Sequence, residues 1–218
     1  MNWQAALALA LLATSGSGYV AETETHSRAR FANRLEVRLA GGCPQLLVEL
    51  QAVTAEFRAV ETTSRPPGWE TADEAALAFY AFNDAAYRAT DDITELVGFL
   101  LRTRQGRYVF TNAVKVPYAF ELTARLARQN GWTVAGLLHT HPGGRACQEE
   151  FSSEDRKAVL RGTTPMSYVR TPLGNVLFLD QRLAEKRSMR RGASVCPNGE
   201  SCLAAHVKAR NATAYASR

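Results

Sequence analysis

The sequence predicts an α/β domain in which a mixed central sheet is flanked by helices. Three observations lead to this prediction. The chain of 218 residues, with 46% hydrophobic content, is long enough for one domain with a full core plus extensions. Apolar runs of strand length alternate with segments of helical period, and Gly- or Pro-containing turns separate them. No internal repeat or low-complexity tract interrupts the pattern.

Residues 1–21 have the features of a signal peptide. An apolar core at residues 5–13 is followed by small residues suited to cleavage between about Ser15 and Ala21. This segment predicts a secreted or periplasmic protein. The first ten residues contain no Lys or Arg, so an ordinary N-terminal helix is the alternative. No run reaches the roughly 18 apolar residues of a membrane-spanning helix, and we expect no transmembrane span.

Residues 22–69 are interpreted as an N-terminal helical extension and a linker. Apolar side chains at positions 46, 47, 50, 53 and 57 recur with a helical period, which predicts a helix over residues 45–57. Tandem prolines and a glycine within residues 62–69 stop any helix and indicate a linker. The main domain is therefore expected to span residues 70–180.

Local patterns assign the elements of this domain. Thr71 supplies a hydroxyl cap and is followed by acids at Asp73 and Glu74, as is typical of a helix start. Asn130-Gly131 is typical of a helix end. The elements expected are, in chain order, a helix over residues 71–89, a strand over 93–102, its hairpin partner over 108–111, a helix over 119–129, a strand over 134–138, a helix over 152–161 and strands over 166–171 and 176–179.

The end of the strand over residues 134–138 carries the strongest chemical signal. It runs into His139-Thr140-His141-Pro142, and alternation along a strand puts both imidazoles on one side. Ser152 begins the next helix, so Asp155 lies in its first turn, where the loop can fold it back over the strand end. Two His and one carboxylate, with a fourth position left to water, are the ligands expected of a catalytic zinc site.

Simpler interpretations exist for each part of this pattern. Ser152-x-x-Asp155 also resembles a capping box. A single His at a strand end is ordinarily an interfacial side chain. The chain has only four His, however, and two of them stand here before Pro142 and a Ser-x-x-Asp sequence. The combination favours the metal site.

These residues resemble the JAMM/MPN metallopeptidases, whose motif is an upstream Glu, then His-x-His-Pro, then Ser-x-x-Asp. Glu95 stands in a stretch that resembles the family's Glu-x-x-Gly-x-Leu sequence. The resemblance implies that His139, His141 and Asp155 bind zinc. It also implies that Glu95 is the general base for the attacking water and that Ser152 helps to hold the oxyanion. Without the downstream motif, Glu95 would be interpreted as an acid on the solvent face of an edge strand.

The resemblance covers residues 71–180 and implies the cytidine-deaminase-like architecture of JAMM/MPN domains. It is closest to the JAMM-like domains of unknown function in bacterial secreted proteins and Rhs-type toxins, which often carry Phe-Ser-x-x-Asp as at residues 151–155. The loop between Pro142 and Ser152 has nine residues, a few more than is usual in the family, so the resemblance does not extend to the shape of this loop. Two acids in this loop, Glu149 and Glu150, suggest a preference for a basic or amine-bearing group.

The activity implied is that of a zinc metallopeptidase that cleaves a peptide or isopeptide bond. Expected substrates are peptides or proteins, with cell-wall peptides among the candidates, and the sequence does not choose between them or indicate an oligomeric state. The alternative is a non-catalytic JAMM-like module that is secreted or associated with a toxin. A zinc-dependent deaminase or nuclease is disfavoured, because the sequence lacks the Pro-Cys-x-x-Cys segment of the zinc deaminases.

Four cysteines form an even set, which suggests disulfides in an exported protein. Three connectivities are open. We favour Cys196 with Cys202, across a turn-forming segment, and Cys43 with Cys147. Cys147 as a zinc ligand is the alternative.

The C-terminal tail, residues 181–218, is basic, with eight Lys or Arg against two acids, and accounts for the net charge of +5. Such a tail could contact nucleic acid, anionic lipid or an acidic partner, but it has few interleaved aromatics. We therefore interpret it as a solvated terminus with no clear nucleic-acid partner.

Overall fold

The structure, a computed structural model, describes residues 34–40, 50–60, 68–127, 131–143, 148–186 and 193–194. The predicted signal peptide, all four cysteines and most of the basic tail lie outside these residues, so those predictions stay predictions. The described start of the tail is not a solvated segment, because Gln181–Glu185 forms a helix in which Leu183 and Ala184 are buried. No helix in the described part of the chain is long and apolar enough to cross a membrane.

Strands and helices alternate along the chain. They are, in order, β1 (Arg34–Ala40), β2 (Gln51–Arg58), α1 (Ala72–Phe82), α2 (Asp84–Arg88), β3 (Thr94–Arg102), β4 (Tyr108–Phe110), β5 (Val114–Pro117), β6 (Ala119–Ala127), β7 (Thr133–Thr140), α3 (Ser153–Leu160), β8 (Met166–Arg170), β9 (Val176–Asp180), α4 (Gln181–Glu185) and β10 (Ala193–Ser194).

The central sheet has the strand order β10-β9-β8-β7-β3-β4, and β5 pairs with the other half of β3. The pair β7 and β8 is parallel, whereas the remaining pairs are antiparallel. The predicted α/β fold with a mixed sheet is therefore confirmed. Strands β3 and β7 lie in the middle, which is why they read as continuous apolar runs rather than alternating ones.

Adjacent residues of these two strands face opposite layers. Leu100 and Leu138 pack with Phe79 and Tyr80 of α1, which covers one face of the sheet. Leu137 belongs to the cluster on the opposite face, where β2 and β6 contribute the facing side chains. Helices α3 and α4 pack farther along, against β8 and β9.

The predicted helix over residues 71–89 is confirmed with one interruption. Thr71 caps α1 in a reciprocal capping box, in which its hydroxyl accepts from the N–H of Glu74 and the Glu74 carboxylate accepts from the N–H of Thr71. At Asn83 the chain turns, and the side-chain amide donates to the carbonyl of Phe79. The short helix α2 follows directly and carries Asp84 and Tyr87.

The prediction of a helix over residues 119–129 is wrong, because residues Ala119–Ala127 form β6. Phe120, Leu122 and Leu126 are buried, whereas Glu121 and Arg125 are exposed, which is the two-residue period of a strand. The strand forms the middle of a separate three-stranded sheet, antiparallel to β1 and parallel to β2. Two partners on β6 outweigh the helical propensity of its alanines.

The helix predicted over residues 45–57 is also wrong where the structure describes it, since Gln51–Arg58 is β2. The ring of Phe57 meets that of Phe99 in β3 edge to face, with centroids 4.8 Å apart. β2 therefore shares a core with the domain that was predicted to begin at residue 70. The proposed domain boundaries themselves stay a prediction.

Candidate metal centre

The centre lies at one edge of the central sheet, where β7 and β8 end and β3 begins. The pairing register sets Val97 of β3 and Val169 of β8 on either side of His139. One residue beyond β7 comes His141 and then Pro142, which has no N–H to continue the ladder. The chain leaves the sheet at this point, so the side chains at the end of β7 face the loop and helix that follow.

His139 and His141 project from the same face of the sheet, as their spacing predicts. Their ring centroids lie 5.2 Å apart, and both side chains are buried. One ligand atom from each of His139, His141 and Asp155 can be chosen so that all three lie within 4.8 Å of one another. The structure therefore brings together the three residues that were predicted to bind metal.

Asp155 reaches this face because Ser152 caps α3. The Ser152 hydroxyl accepts from the N–H of Asp155 at 3.1 Å, and the Asp155 Oδ2 accepts from the N–H of Ser152 at 2.7 Å. The same carboxylate lies 3.2 Å from His139 Nε2 through Oδ1, and 3.5 Å from His141 Nε2 through Oδ2. The capping box and the ligand position thus coincide: the cap holds Asp155 in the rotamer that turns it toward the histidines.

The loop after β7 orients His141. Its Nδ1 lies 2.9 Å from the carbonyl oxygen of Gln148. A carbonyl only accepts, so this contact assigns the proton to Nδ1 and leaves the Nε2 lone pair directed at the centre. This is the arrangement in which a neutral imidazole binds a metal ion.

The charges of the centre come from two buried carboxylates. Burial alone raises the pKa of Asp155, but His139 and His141 together outweigh burial and hold that pKa below its ordinary value. Glu95 is 3% exposed, and burial together with the negative charge of Asp155 raises its pKa well above the ordinary range. The two carboxylates are therefore close enough to influence each other.

Glu95 lies on the same face as the histidines. Val97 pairs with His139 across the two strands, and Glu95 is two residues from Val97, so alternation along β3 puts the Glu95 side chain on the same face. The alternative of an acid on the solvent face of an edge strand is wrong, since β3 has neighbours on both sides.

These residues fit a cation. Within the described residues, Glu95 Oε2 and both ring nitrogens of His139 are buried without a hydrogen bond. Buried polar atoms of this kind are costly unless they are neutralised or bound. Two imidazoles and a carboxylate directed at one point are donors suited to a divalent transition metal such as zinc.

The comparison with known families agrees with this geometry. Residues 82–190 match the family described as prokaryotic homologs of the JAB domain. The chain belongs to this family. The matched range contains every residue of the centre, from Glu95 to Asp155. Searches of curated proteins and of solved structures gave no match.

Residues that no sequence pattern indicated also hold the strand ends of this JAB domain in place beside the candidate ligands. Tyr80 of α1 donates its hydroxyl to the carbonyl of His139 at 3.0 Å, through the sheet from the opposite face. The hydroxyl of Thr140 accepts from the N–H of Leu96 at 2.9 Å, which ties β7 to β3 beside the centre. In the sequence, a tyrosine in an alanine-rich helix is interpreted as a core residue. Only the tertiary structure shows that its hydroxyl also bonds to the backbone of His139.

One acid of the loop has a structural contact. Oε1 of Glu149 accepts from the N–H of Leu173 at 2.9 Å, so the loop after β7 is fastened to the turn between β8 and β9. The suggestion that Glu149 and Glu150 favour a basic substrate group stays a prediction.

Proposed function

We propose that this JAB domain is a zinc-dependent amide hydrolase that cleaves peptide or isopeptide bonds. The observation that carries the proposal is the buried convergence of His139, His141 and Asp155, with Glu95 on the same face of the sheet. A domain of this family that served only as a binding module would have no need to keep three ligand side chains and a second buried acid together.

The metal would be held by His139, His141 and Asp155. When bound, zinc lowers the pKa of water toward about 7 and polarises a carbonyl group. Ligand type supports zinc over magnesium or calcium, since those ions prefer an all-oxygen environment and two of the three donors here are imidazole nitrogens.

Glu95 and Ser152 would supply the remaining chemistry. Glu95 takes the proton of the attacking water and passes it to the departing amine, a role that suits a carboxyl whose pKa is raised above its ordinary value by burial and by the charge of Asp155. The Ser152 oxygen accepts from the N–H of Asp155, and its own proton is left to donate to the carbonyl oxygen of the substrate.

Export and substrate class form part of the proposal. Residues 1–21 support secretion or periplasmic localisation, which would put peptidoglycan cross-links, envelope proteins or a delivered host protein within reach. The resemblance to domains in secreted and Rhs-type toxin proteins supports the same setting.

Metal content tests the proposal directly. The purified protein should contain about one zinc per chain by mass spectrometry, and His141→Ala should lose it. Glu121→Ala is the control, because it removes a potential metal-binding side chain from an exposed position of β6, and this variant should retain zinc. No zinc in the wild-type protein, and none taken up when zinc is added, would reject the hydrolase and favour the non-catalytic module. A protein that binds zinc is then screened against peptide, isopeptide and cell-wall amide substrates.

A further inference from the structure

The backbone of His141 is held at both of its polar groups. Its N–H donates to the carbonyl of Arg170 at 2.9 Å, and its carbonyl accepts from the hydroxyl of Tyr87 at 3.1 Å. His141 lies beyond the last residue of β7 and precedes Pro142, so regular sheet pairing no longer fixes it. These two hydrogen bonds therefore hold the main chain of a candidate metal ligand just beyond the end of the strand.

The two groups that hold His141 also hold each other. The guanidinium carbon of Arg170 lies 4.1 Å from the centroid of the Tyr87 ring, which is a cation–π contact. Nη2 of Arg170 donates to Oδ1 of Asp84 at 2.8 Å, and Asp84 and Tyr87 both belong to α2. The contacts form a closed circuit, because Arg170 binds His141 through its main chain and Tyr87 through its side chain.

The circuit explains why an arginine is buried at the end of β8. The side chain of Arg170 is 8% exposed, and burying a charge is costly unless it is paired. Asp84 supplies the counter-charge at 2.8 Å, and the ring of Tyr87 covers the guanidinium group. A helix of five residues has little stability of its own, so α2 depends on this contact for its position.

We propose that Tyr87 is a positioning residue for the metal ligand His141, with Arg170 and Asp84 as its support. The inference rests on the proposed metal site and extends it to a second layer of residues. Tyr87 contacts the backbone carbonyl of the candidate ligand through its hydroxyl group. It sets the direction in which the imidazole projects, and through that direction the affinity of the site.

Zinc affinity measured against a competing chelator tests this inference. Tyr87→Phe keeps the ring under Arg170 and removes only the hydroxyl, so we expect zinc to bind about tenfold more weakly, as is usual when an outer contact to a ligand is removed. Tyr108→Phe is the matched control, because Tyr108 pairs with Arg102 at the other end of β3; its zinc affinity should equal that of the wild type. Unchanged affinity in Tyr87→Phe would overturn the inference.

A second readout separates positioning from general stability. With cobalt(II) in place of zinc, the visible absorption bands report ligand geometry, and we expect them to shift in Tyr87→Phe but not in Tyr108→Phe. Arg170→Lys keeps the charge but loses the planar stack on Tyr87, so it should weaken zinc binding in the same direction. If the two side chains act together, the variant that combines Tyr87→Phe with Arg170→Lys should lose less zinc affinity than the product of the two single fold-losses. Additive losses, or cobalt bands identical to those of the wild type, would contradict the circuit.

The outcomes distinguish this inference from the proposed function. Wild-type protein that takes up neither zinc nor cobalt rejects the metal site, and the positioning role falls with it. Wild-type protein that binds zinc, together with a Tyr87→Phe variant that binds it equally well, rejects the positioning role alone.

Discussion

Nε2 of His139 lies 3.2 Å from Oδ1 of Asp155, and both side chains are almost completely shielded from solvent. A buried imidazole and carboxylate at this distance are stabilised either by a proton or by a cation that both can bind. The centre should therefore couple the stability of the fold to its ligand, and this coupling can be measured without knowledge of the substrate.

Zinc should raise the free energy of unfolding. A ligand that binds only the folded state adds about 2.7 kcal/mol when its free concentration is a hundred times its Kd. We expect the midpoint of thermal unfolding, measured by scanning calorimetry, to fall when a chelator is added and to recover when zinc is restored. His139→Ala should melt at one temperature under both conditions. A wild-type midpoint that does not respond to either reagent would contradict the coupling.

Glu95→Gln should separate metal binding from turnover. The amide keeps the size of the side chain but cannot accept the proton of the attacking water, so kcat should fall by roughly 10²- to 10⁴-fold while zinc content stays at the wild-type value. Glu121→Gln, on an exposed position of β6, should retain full activity. Full activity in Glu95→Gln would remove Glu95 from the mechanism.

The metal-free protein should lose stability as the pH rises above about 4.5, the ordinary pKa of a Glu side chain. Burial and the charge of Asp155 raise the pKa of Glu95 in the folded state, so between the two values the folded protein holds a proton that the unfolded chain has released. The stabilisation that Glu95 contributes is complete at pH values below its pKa in the unfolded chain. It is lost as the pH rises through its pKa in the folded protein. For one proton, the slope cannot exceed about 1.4 kcal/mol per pH unit.

Urea denaturation of the chelated wild type and of Glu95→Gln across this range isolates the effect. Asp155, whose pKa is lowered, contributes in the opposite sense and only below its ordinary value of 3.8, outside the window. The difference in unfolding free energy between the two proteins should therefore change with pH in the predicted direction. Parallel curves would show that Glu95 does not hold its proton in the folded state.

The candidate ligands are predictable from the sequence because their signals are local. His139 and His141 are two residues apart on a strand, and Ser152-x-x-Asp155 is a helix start, so each half of the site follows from the geometry of one element. Whether the two halves come together depends on how the loop between them folds, and the spacing of the residues does not determine this. The resemblance to a known motif supplied that link.

The errors arose where pairing partners are distant in sequence. Residues 119–129 contain alanines and charged side chains that suit a helix, and the alternation of Phe120, Leu122 and Leu126 becomes decisive only beside β1 and β2. The same holds for Tyr87 and Arg170, which are 83 positions apart by residue number and meet only in the folded sheet. Contacts of this kind have no periodic signature.

Two substitutions at Ser152 should separate its cap from its chemistry. Removal of an N-cap hydroxyl costs about 1 kcal/mol with Ala but only a few tenths with Gly, and the backbone angles of Ser152 are extended, which Gly adopts freely. Ser152→Ala should therefore lower both unfolding free energy and kcat, whereas Ser152→Gly should lower kcat alone. Measured stability and turnover that fall together in both variants would assign Ser152 to the cap only.

Gly98→Ala should strain the contact between β3 and α1. A methyl group at Gly98 would lie 2.6 Å from Cε2 and 2.9 Å from Cζ of Phe79, inside the distance that real side chains adopt. The Phe79 ring is itself packed between Tyr80 and Phe110, so it cannot simply move away. We expect a loss of about 1–3 kcal/mol in unfolding free energy, measured by urea denaturation.

A second substitution tests whether that ring is the cause. Phe79→Leu alone should be destabilising, because it leaves space in the core beneath α1. Combined with Gly98→Ala, the leucine makes room for the new methyl group, so the double variant should be more stable than the sum of the two losses predicts. Strict additivity would mean that Gly98 is required for a reason other than its contact with Phe79.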